Sequence, residues 1–263
     1  MDVLIVGAGS MGTWFGNAID ARIAFADVDD DAAAAAAETV DGEVADLEGD
    51  SRYDVVCLAV PMTHVTDAIA AQAGRAERAV VDVSGVMEPA LAAMERHAPE
   101  LERASLHPLF APERSPGSIA IVCDRTGPAI DEILAALEGR GNDLIETTAA
   151  DHDGAMETVQ AATHAAILSF ALAAESVPEG FETPIYEELR RLAQQVTAGT
   201  PRVYADIQDT FDGAAAVADA AAAIAEADQD ELESLYREAA SHWHDEATDE
   251  VAVDAGSTEG DEE

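Results

Sequence analysis

The 263-residue chain carries 54 Asp and Glu against 13 cations, a formal charge of −41, and every cation is an arginine because the sequence contains no lysine. Side-chain amine chemistry is therefore excluded, including Schiff bases, the phosphate lysine of a Walker loop and the lysine that serves some hydroxy-acid dehydrogenases; a surface this anionic also repels nucleic-acid backbones and acidic membranes. Apolar residues make up 48 % of the chain, enough for a folded core in one or two domains.

Along residues 1–150, short apolar runs alternate with alanine-rich segments, the pattern of a parallel sheet covered by helices. Strands are predicted over 2–6, 22–26, 54–60, 79–83, 102–106, 118–123 and 143–147, and helices starting near Ser10, Asp30, Thr63, Glu88 and Pro128. From Asp151 the strand signal stops, and helices are predicted over 151–176, 183–197, 201–226 and 228–244. Residues 246–263 are mostly acids and small side chains and read as a disordered tail. Cys57 and Cys123 lie inside apolar runs and read as small buried hydrophobes. With no signal-peptide pattern and no apolar run of about 18 residues, a cytoplasmic protein is expected. The acids sit between well-formed apolar runs, so they read as surface charge. Such charge repels itself at low ionic strength and is screened at molar salt, where the Debye length is about 3 Å, so a halophilic protein is expected.

The first predicted strand runs into Gly7-Ala8-Gly9-Ser10-Met11-Gly12, a GxGxxG followed by a helical pattern. The chemistry of dinucleotide binding needs a tight turn at Gly7, a bare backbone at Gly9 and a small residue at Gly12, with Ser10 and Met11 opening the helix under the pyrophosphate. Asp27 ends the second strand, where a carboxylate hydrogen-bonds ribose hydroxyls and repels a 2′-phosphate, pointing to NAD over NADP. Val60 and Pro61 follow the third main strand at the carboxyl edge of the sheet and are candidates to wall the nicotinamide side; His64 reads as a surface helix residue. His107 lies just beyond a strand and before Pro108, which restricts it to extended backbone and aims its ring into the cleft. It is the candidate general base. No histidine, cysteine or acid spacing suggests a metal site.

These residues resemble the prephenate dehydrogenase family. The match lies in the glycine motif, in Ser105-Leu106-His107-Pro108-Leu109-Phe110, in Asp151-His152-Asp153 leading to Gln160 and His164, in Pro184-Ile185-Tyr186 and in Tyr204-Ala205-Asp206-Ile207. It spans roughly residues 1–244. The resemblance implies an α/β chain: an N-terminal Rossmann-type doubly wound domain over 1–150, then an all-α dimerisation domain over 151–245, with the active site between them and a homodimer as the assembly. It implies NAD-dependent oxidative decarboxylation of prephenate, a small anionic substrate, to 4-hydroxyphenylpyruvate in tyrosine biosynthesis. Within it, His107 is the catalytic residue, and His164, Gln160 and Ser84 bind substrate. Gln160 and His164 are one helical turn apart and so share a face. His152, near the start of that helix, is expected to be a cap or an interdomain contact.

Two departures stand out. The family's serine, valine, lysine turn reads here as Ser84-Gly85-Val86-Met87, with the serine one position early. The arginine that holds the ring carboxylate falls at Gly213, and no arginine occurs between Arg202 and Arg237. Arg114, Arg191 and Arg202 remain open for that role. Arogenate as substrate, and a catalytically silent NAD-binding regulatory protein, stay open as alternative readings.

Overall fold

The computed structural model describes residues 1–178 and 180–244, so the stretch expected to be a disordered tail lies outside the described residues. Eight strands, β1 (Asp2–Val6), β2 (Arg22–Ala26), β3 (Glu43–Val44), β4 (Tyr53–Leu58), β5 (Ala76–Asp82), β6 (Glu102–Pro108), β7 (Ser118–Arg125) and β8 (Asp143–Glu146), form one sheet in the order β3-β2-β1-β4-β5-β6-β7-β8. The central strands are continuous apolar runs because both of their faces are covered. Along β1, Val3 and Ile5 enter one hydrophobic cluster while Leu4 and Val6 enter the other, as the two-residue period of a strand requires.

Helices α1 (Ser10–Ala18), α2 (Asp30–Val40) and α5 (Pro128–Gly139) cover the first face, contributing Phe15, Ala33, Ala37, Ile130 and Ile133. Helices α3 (Val65–Gln72) and α4 (Glu88–His97) cover the second with Val65, Ile69, Leu91 and Met94. Each large side chain buried here contributes about 1.5–3 kcal/mol. The chain moves outward from β1 to β3 and then crosses to β4. The carboxyl ends of β1 and β4 are therefore a topological switch point, the place where doubly wound sheets bind ligands.

The sheet is not wholly parallel: β6 and β7 pair antiparallel, His107 opposite Ala120. Residues 109–117 join them with only a one-turn 3₁₀ helix (Pro112–Arg114), too short for the crossover of a dozen or more residues that a parallel neighbour needs. Strand β3 escapes sequence detection because it is two residues long and exposed. The helix expected from Thr63 starts at Val65, after a 3₁₀ turn over Met62–His64.

After β8 comes one long helical stretch: α6 (Ala149–Met156), a six-residue π-helical segment (Glu157–Ala162) and α7 (Thr163–Ala173). Helix α8 (Pro184–Thr197) follows, with Phe170 and Tyr186 packed edge to face at 6.0 Å. The helix expected over 201–226 is two, α9 (Pro201–Thr210) and α10 (Gly213–Glu226), because Phe211 takes an extended backbone and buries its ring in the second cluster. Residues 1–213 form one compact unit, so the sheet and the helices up to α9 belong together; a second unit begins at Ala214 and contains most of α10 and α11 (Gln229–His244), whose first turn is capped by Asp228. Among the described residues no helix is long and apolar enough to cross a membrane.

Candidate active site

The glycine loop at the end of β1 is shaped by what a side chain would strike. Gly7 has φ +103°, and a Cβ there would lie 2.3 Å from the Ala59 carbonyl oxygen; a Cβ on Gly12 would lie 2.1 Å from the Gly7 oxygen. These two glycines let the turn pass beneath the end of β4 and let α1 pack close behind it. Gly9 is different, since a Cβ there meets nothing within 4 Å. It is the N-cap of α1 and contributes no capping side chain, and Ser10 beside it is exposed. The first-turn N–H groups thus face a space in which an anion would be welcome. Met11 is half-buried behind this edge.

Asp27 closes the same corner. Its Oδ2 accepts the Ala8 N–H at 2.6 Å and its Oδ1 accepts the Asp29 N–H at 2.9 Å, tying the end of β2 to the glycine loop. Each carboxylate oxygen can accept a further hydrogen bond, which leaves capacity for a diol. Asp29 is otherwise engaged as the N-cap of α2, accepting from the Asp31 and Ala32 N–H groups. Val60 and Pro61 follow β4 directly above Gly7, half-buried and exposed respectively.

His107 is buried on β6, four strands along from β2, and its two ring nitrogens face different partners. Nδ1 lies 2.9 Å from His152 Nε2, and Nε2 lies 3.2 Å from the Gln160 side-chain nitrogen. His152, also buried, places its Nδ1 2.7 Å from Asp153 Oδ1. Asp153 in turn accepts the N–H groups of Met87 and Glu88 at 3.0 and 2.9 Å, at the start of α4. Burial first, then the neighbouring His152, pushes the His107 pKa down to about 3, against a smaller pull from Asp153. Hydrogen bonds from His152 and the two backbone N–H groups hold the Asp153 carboxyl below its usual range although burial works the other way. His107 is therefore a neutral ring and Asp153 an anion at neutral pH.

His152 and Gln160 reach the same ring from one helical stretch. Eight residues of α-helix overshoot two turns by about 80°. The π-helical segment between them advances less per residue and takes back much of that excess, which brings Gln160 onto the side of His152. Above the ring, Gly85 has φ +93°, and a Cβ there would lie 3.1 Å from His107 Nε2. The glycine that departs from the family's turn thus keeps the space over this nitrogen clear.

The remaining expected residues are placed as follows. His164 is half-buried and packs edge to face on Tyr204 at 4.8 Å; its Nδ1 is buried without a partner, and burial lowers its pKa. Ser84 donates its hydroxyl to Asp82 Oδ2 at 2.6 Å and its N–H to the same oxygen at 2.9 Å, so it supports the turn from within. Asp82 is fully buried, and burial raises its pKa to about 6 while hydrogen bonds from serine oppose the rise. At Gly213 a Cβ would lie 2.2 Å from the Glu157 carbonyl oxygen, so no arginine fits there. Arg114 and Arg191 are exposed, whereas Arg202 lies 3.3 Å from His64 Nε2, in the turn after Pro61, and pairs with Asp206 at 2.8 Å. His152 and Asp153 were not expected at the site; the only signal for them was the Asp-His-Asp motif itself, because the contact with His107 spans 45 residues. Among the described residues no group of histidine, cysteine and acidic side chains could hold a metal.

Comparison with known proteins gives the following. No family model matches the chain. It is 30 % identical over 234 residues to the 4-amino-4-deoxyprephenate dehydrogenase of Streptomyces pristinaespiralis, covering 81 % of this chain and 78 % of that protein. In fold it is similar to the prephenate dehydrogenase of Aquifex aeolicus, solved with hydroxyphenyl propionate and NAD+, with a TM-score of 0.69 at 17 % identity over 96 % of each chain. It is also similar to the arogenate dehydrogenase of Synechocystis, with a TM-score of 0.53 at 18 % identity over 90 % of this chain and 97 % of that one.

Proposed function

Because the chain belongs to the prephenate dehydrogenase family, we propose that it is an NAD-dependent dehydrogenase that converts prephenate to 4-hydroxyphenylpyruvate by oxidative decarboxylation. The observation that carries this reading is His107: a buried, neutral imidazole whose Nε2 faces clear space beneath Gly85.

The glycine loop fits a dinucleotide. The open space at Gly9 and the uncapped start of α1 suit the pyrophosphate, and Gly7, Gly9, Ser10, Met11 and Gly12 would hold it. Asp27 would take the ribose hydroxyls and disfavour a 2′-phosphate, while Val60 and Pro61 would wall the nicotinamide side. When bound, the cofactor supplies a hydride acceptor at nicotinamide C4. His107 Nε2 accepts the ring-hydroxyl proton as hydride leaves the same carbon. The carbon–carbon bond to the ring carboxylate then breaks, CO₂ departs, its electron pair completes the aromatic ring, and the proton returns to the phenolate oxygen.

Gln160 and His164 would contact substrate, with Ser84 supporting the turn from below. Of the three arginines left open by the sequence, Arg202 is the one we assign to a substrate carboxylate: it adjoins His64, and Tyr204 two residues on packs against His164. Arg202→Ala should raise KM about tenfold with little change in kcat. We further propose that residues 1–150 bind cofactor and 151–245 contact substrate and a second copy of the chain. Exposed Leu172, Phe181 and Ile185 on and beside α7 and α8 support a homodimer. A cytoplasmic, salt-adapted protein is the setting that the charge favours.

The name of the Streptomyces relative supports a second reading, in which the ring carbon carries an amine in place of the hydroxyl. The same His107 nitrogen would then take an N–H proton. NADH formation in molar KCl with prephenate, arogenate and 4-amino-4-deoxyprephenate, using NAD and NADP in parallel, decides between them. Prephenate with NAD should give the highest kcat/KM; preference for the amine supports the second reading, and no turnover with any of the three sinks both in favour of a silent NAD-binding protein.

A further inference from the structure

A neutral histidine can act as a base only through the nitrogen that lacks a proton, and that nitrogen is chosen by what the other one touches. In this chain the choice is made three residues away. Asp153 is an anion fixed by two backbone N–H groups at the start of α4, so it can only accept. His152 must then carry its proton on Nδ1, donated to Asp153 Oδ1 at 2.7 Å, which leaves His152 Nε2 as an acceptor. His107 Nδ1, at 2.9 Å from it, must be the donor. The lone pair falls on His107 Nε2, where the Gln160 amide donates to it at 3.2 Å and where Gly85 leaves room. Every donor in this chain of four side chains meets an acceptor, and no other placement of the protons achieves that with the Asp153 carboxylate ionised and the Gln160 amide facing Nε2.

We propose that Asp153 and His152 are positioning residues that set the tautomer of His107, so that its basic nitrogen is Nε2, the one facing the substrate side. The arrangement transmits a backbone anchor at α4 through two side chains to a base on β6. A cleft of about 400 Å³ beside Asp153, lined by Val86, Glu88, Gly154, Glu157 and Phe211, keeps the far end of the chain wet and its carboxylate ionised. The opposite tautomer would place a proton on Nε2, with no acceptor there and no capacity to take a second one near neutral pH. The inference rests on His107 being the base, but the tautomer itself can be read without any reaction.

The test uses the full-length protein labelled with ¹⁵N-histidine in molar KCl at pH 7.5, with the His107 ring signals assigned by their loss in His107→Asn. The expected result is a protonated Nδ1 and an unprotonated Nε2 in the wild type. Asp153→Asn, which can turn its amide toward His152, should produce a mixture of the two His107 tautomers and lower kcat about ten- to a hundredfold while KM stays within about threefold. His152→Gln keeps an acceptor for His107 Nδ1 and should recover most of the kcat lost in His152→Leu. A wild-type spectrum with the proton on Nε2, or an Asp153→Asn protein whose His107 signals and kcat match the wild type, would overturn the proposal. Because the spectra need no substrate, absence of prephenate turnover would count against the proposed function alone. If the leucine variant does not fold, the wild-type spectrum and Asp153→Asn still decide.

Discussion

The two ends of the candidate site are built in opposite ways. The nucleotide end is made of backbone: one stretch of six residues turns under β4, and its recognition groups are N–H donors and the absence of a side chain at Gly9. The proton-handling end is made of side chains from β6, α6 and the π-helical segment, brought together across 45 and 53 residues and anchored on α4 across 66. Backbone recognition tolerates changes in most neighbouring side chains. A hydrogen-bonded chain of side chains depends on each member, since removing one leaves a buried partner unsatisfied.

The largest expected break in this contrast is His107→Asn, which should lower kcat by about three orders of magnitude while leaving the Kd for NAD unchanged, measured by steady-state kinetics and calorimetry. A variant retaining a tenth of wild-type turnover would remove His107 from the role of base. The wild type should show a matching pH signature. With the His107 pKa near 3, and His152 and Asp153 the ionisable groups facing it, the base stays unprotonated as pH falls through 6.5. The acid limb of kcat/KM then arrives only as pH approaches 3, and a fall centred near 6.5 would contradict the burial described.

Asp82, beneath the turn of Ser84 and Gly85, provides the next test. Its folded pKa of about 6 exceeds the value of 3.8 for an unperturbed carboxyl, so its contribution to stability is present below 3.8 and is lost as pH rises through 6. Asp82→Asn should therefore be more stable than the wild type by about 3 kcal/mol at pH 8, with the gain vanishing near pH 4 in denaturant titrations. At the nucleotide end, Gly9→Ala should weaken NAD binding by about ten- to a hundredfold without moving Tm, because its Cβ meets no protein atom; Gly12→Ala should lower both, because its Cβ meets the Gly7 carbonyl. Equal effects of the two on Tm would blur the distinction between a glycine needed by the fold and one needed by the ligand. Smallest and common to both ends, Tm should rise by several degrees between 0.1 M and 2 M KCl as the −41 charge is screened. A flat dependence would remove the argument for salt adaptation.

The same contrast explains what was legible in the sequence. The Gly7–Gly12 spacing and Asp27 could be read directly, because a backbone-built site is written in consecutive residues and one strand period. His107 was legible from its place before Pro108 and after a strand. The link to His152 was not, since a motif shows neighbours along the chain and says nothing of a ring 45 residues away. Gln160 and His164 were expected to share a face, and the π-helical segment could not be read from helical periodicity. The antiparallel β6–β7 pair was in principle readable: nine residues between two strands leave no room for a crossover helix, a constraint that apolar patterning alone overlooks. Gly213 likewise looked like a lost arginine, whereas its space is filled by the backbone of residues 157–162.

That backbone has a consequence for how the chain tolerates change in length. A π-helical turn holds one residue more than the α-helix would, so residues 157–162 act as a built-in insertion. Loss of a single codon there would restore a regular helix without breaking it, yet would swing everything after it by about 100° relative to His152. Gln160 would leave His107, and the hollow that admits Gly213 would close. Point substitutions in this segment can be absorbed one side chain at a time; a one-residue deletion would preserve helix content and composition while dismantling the site.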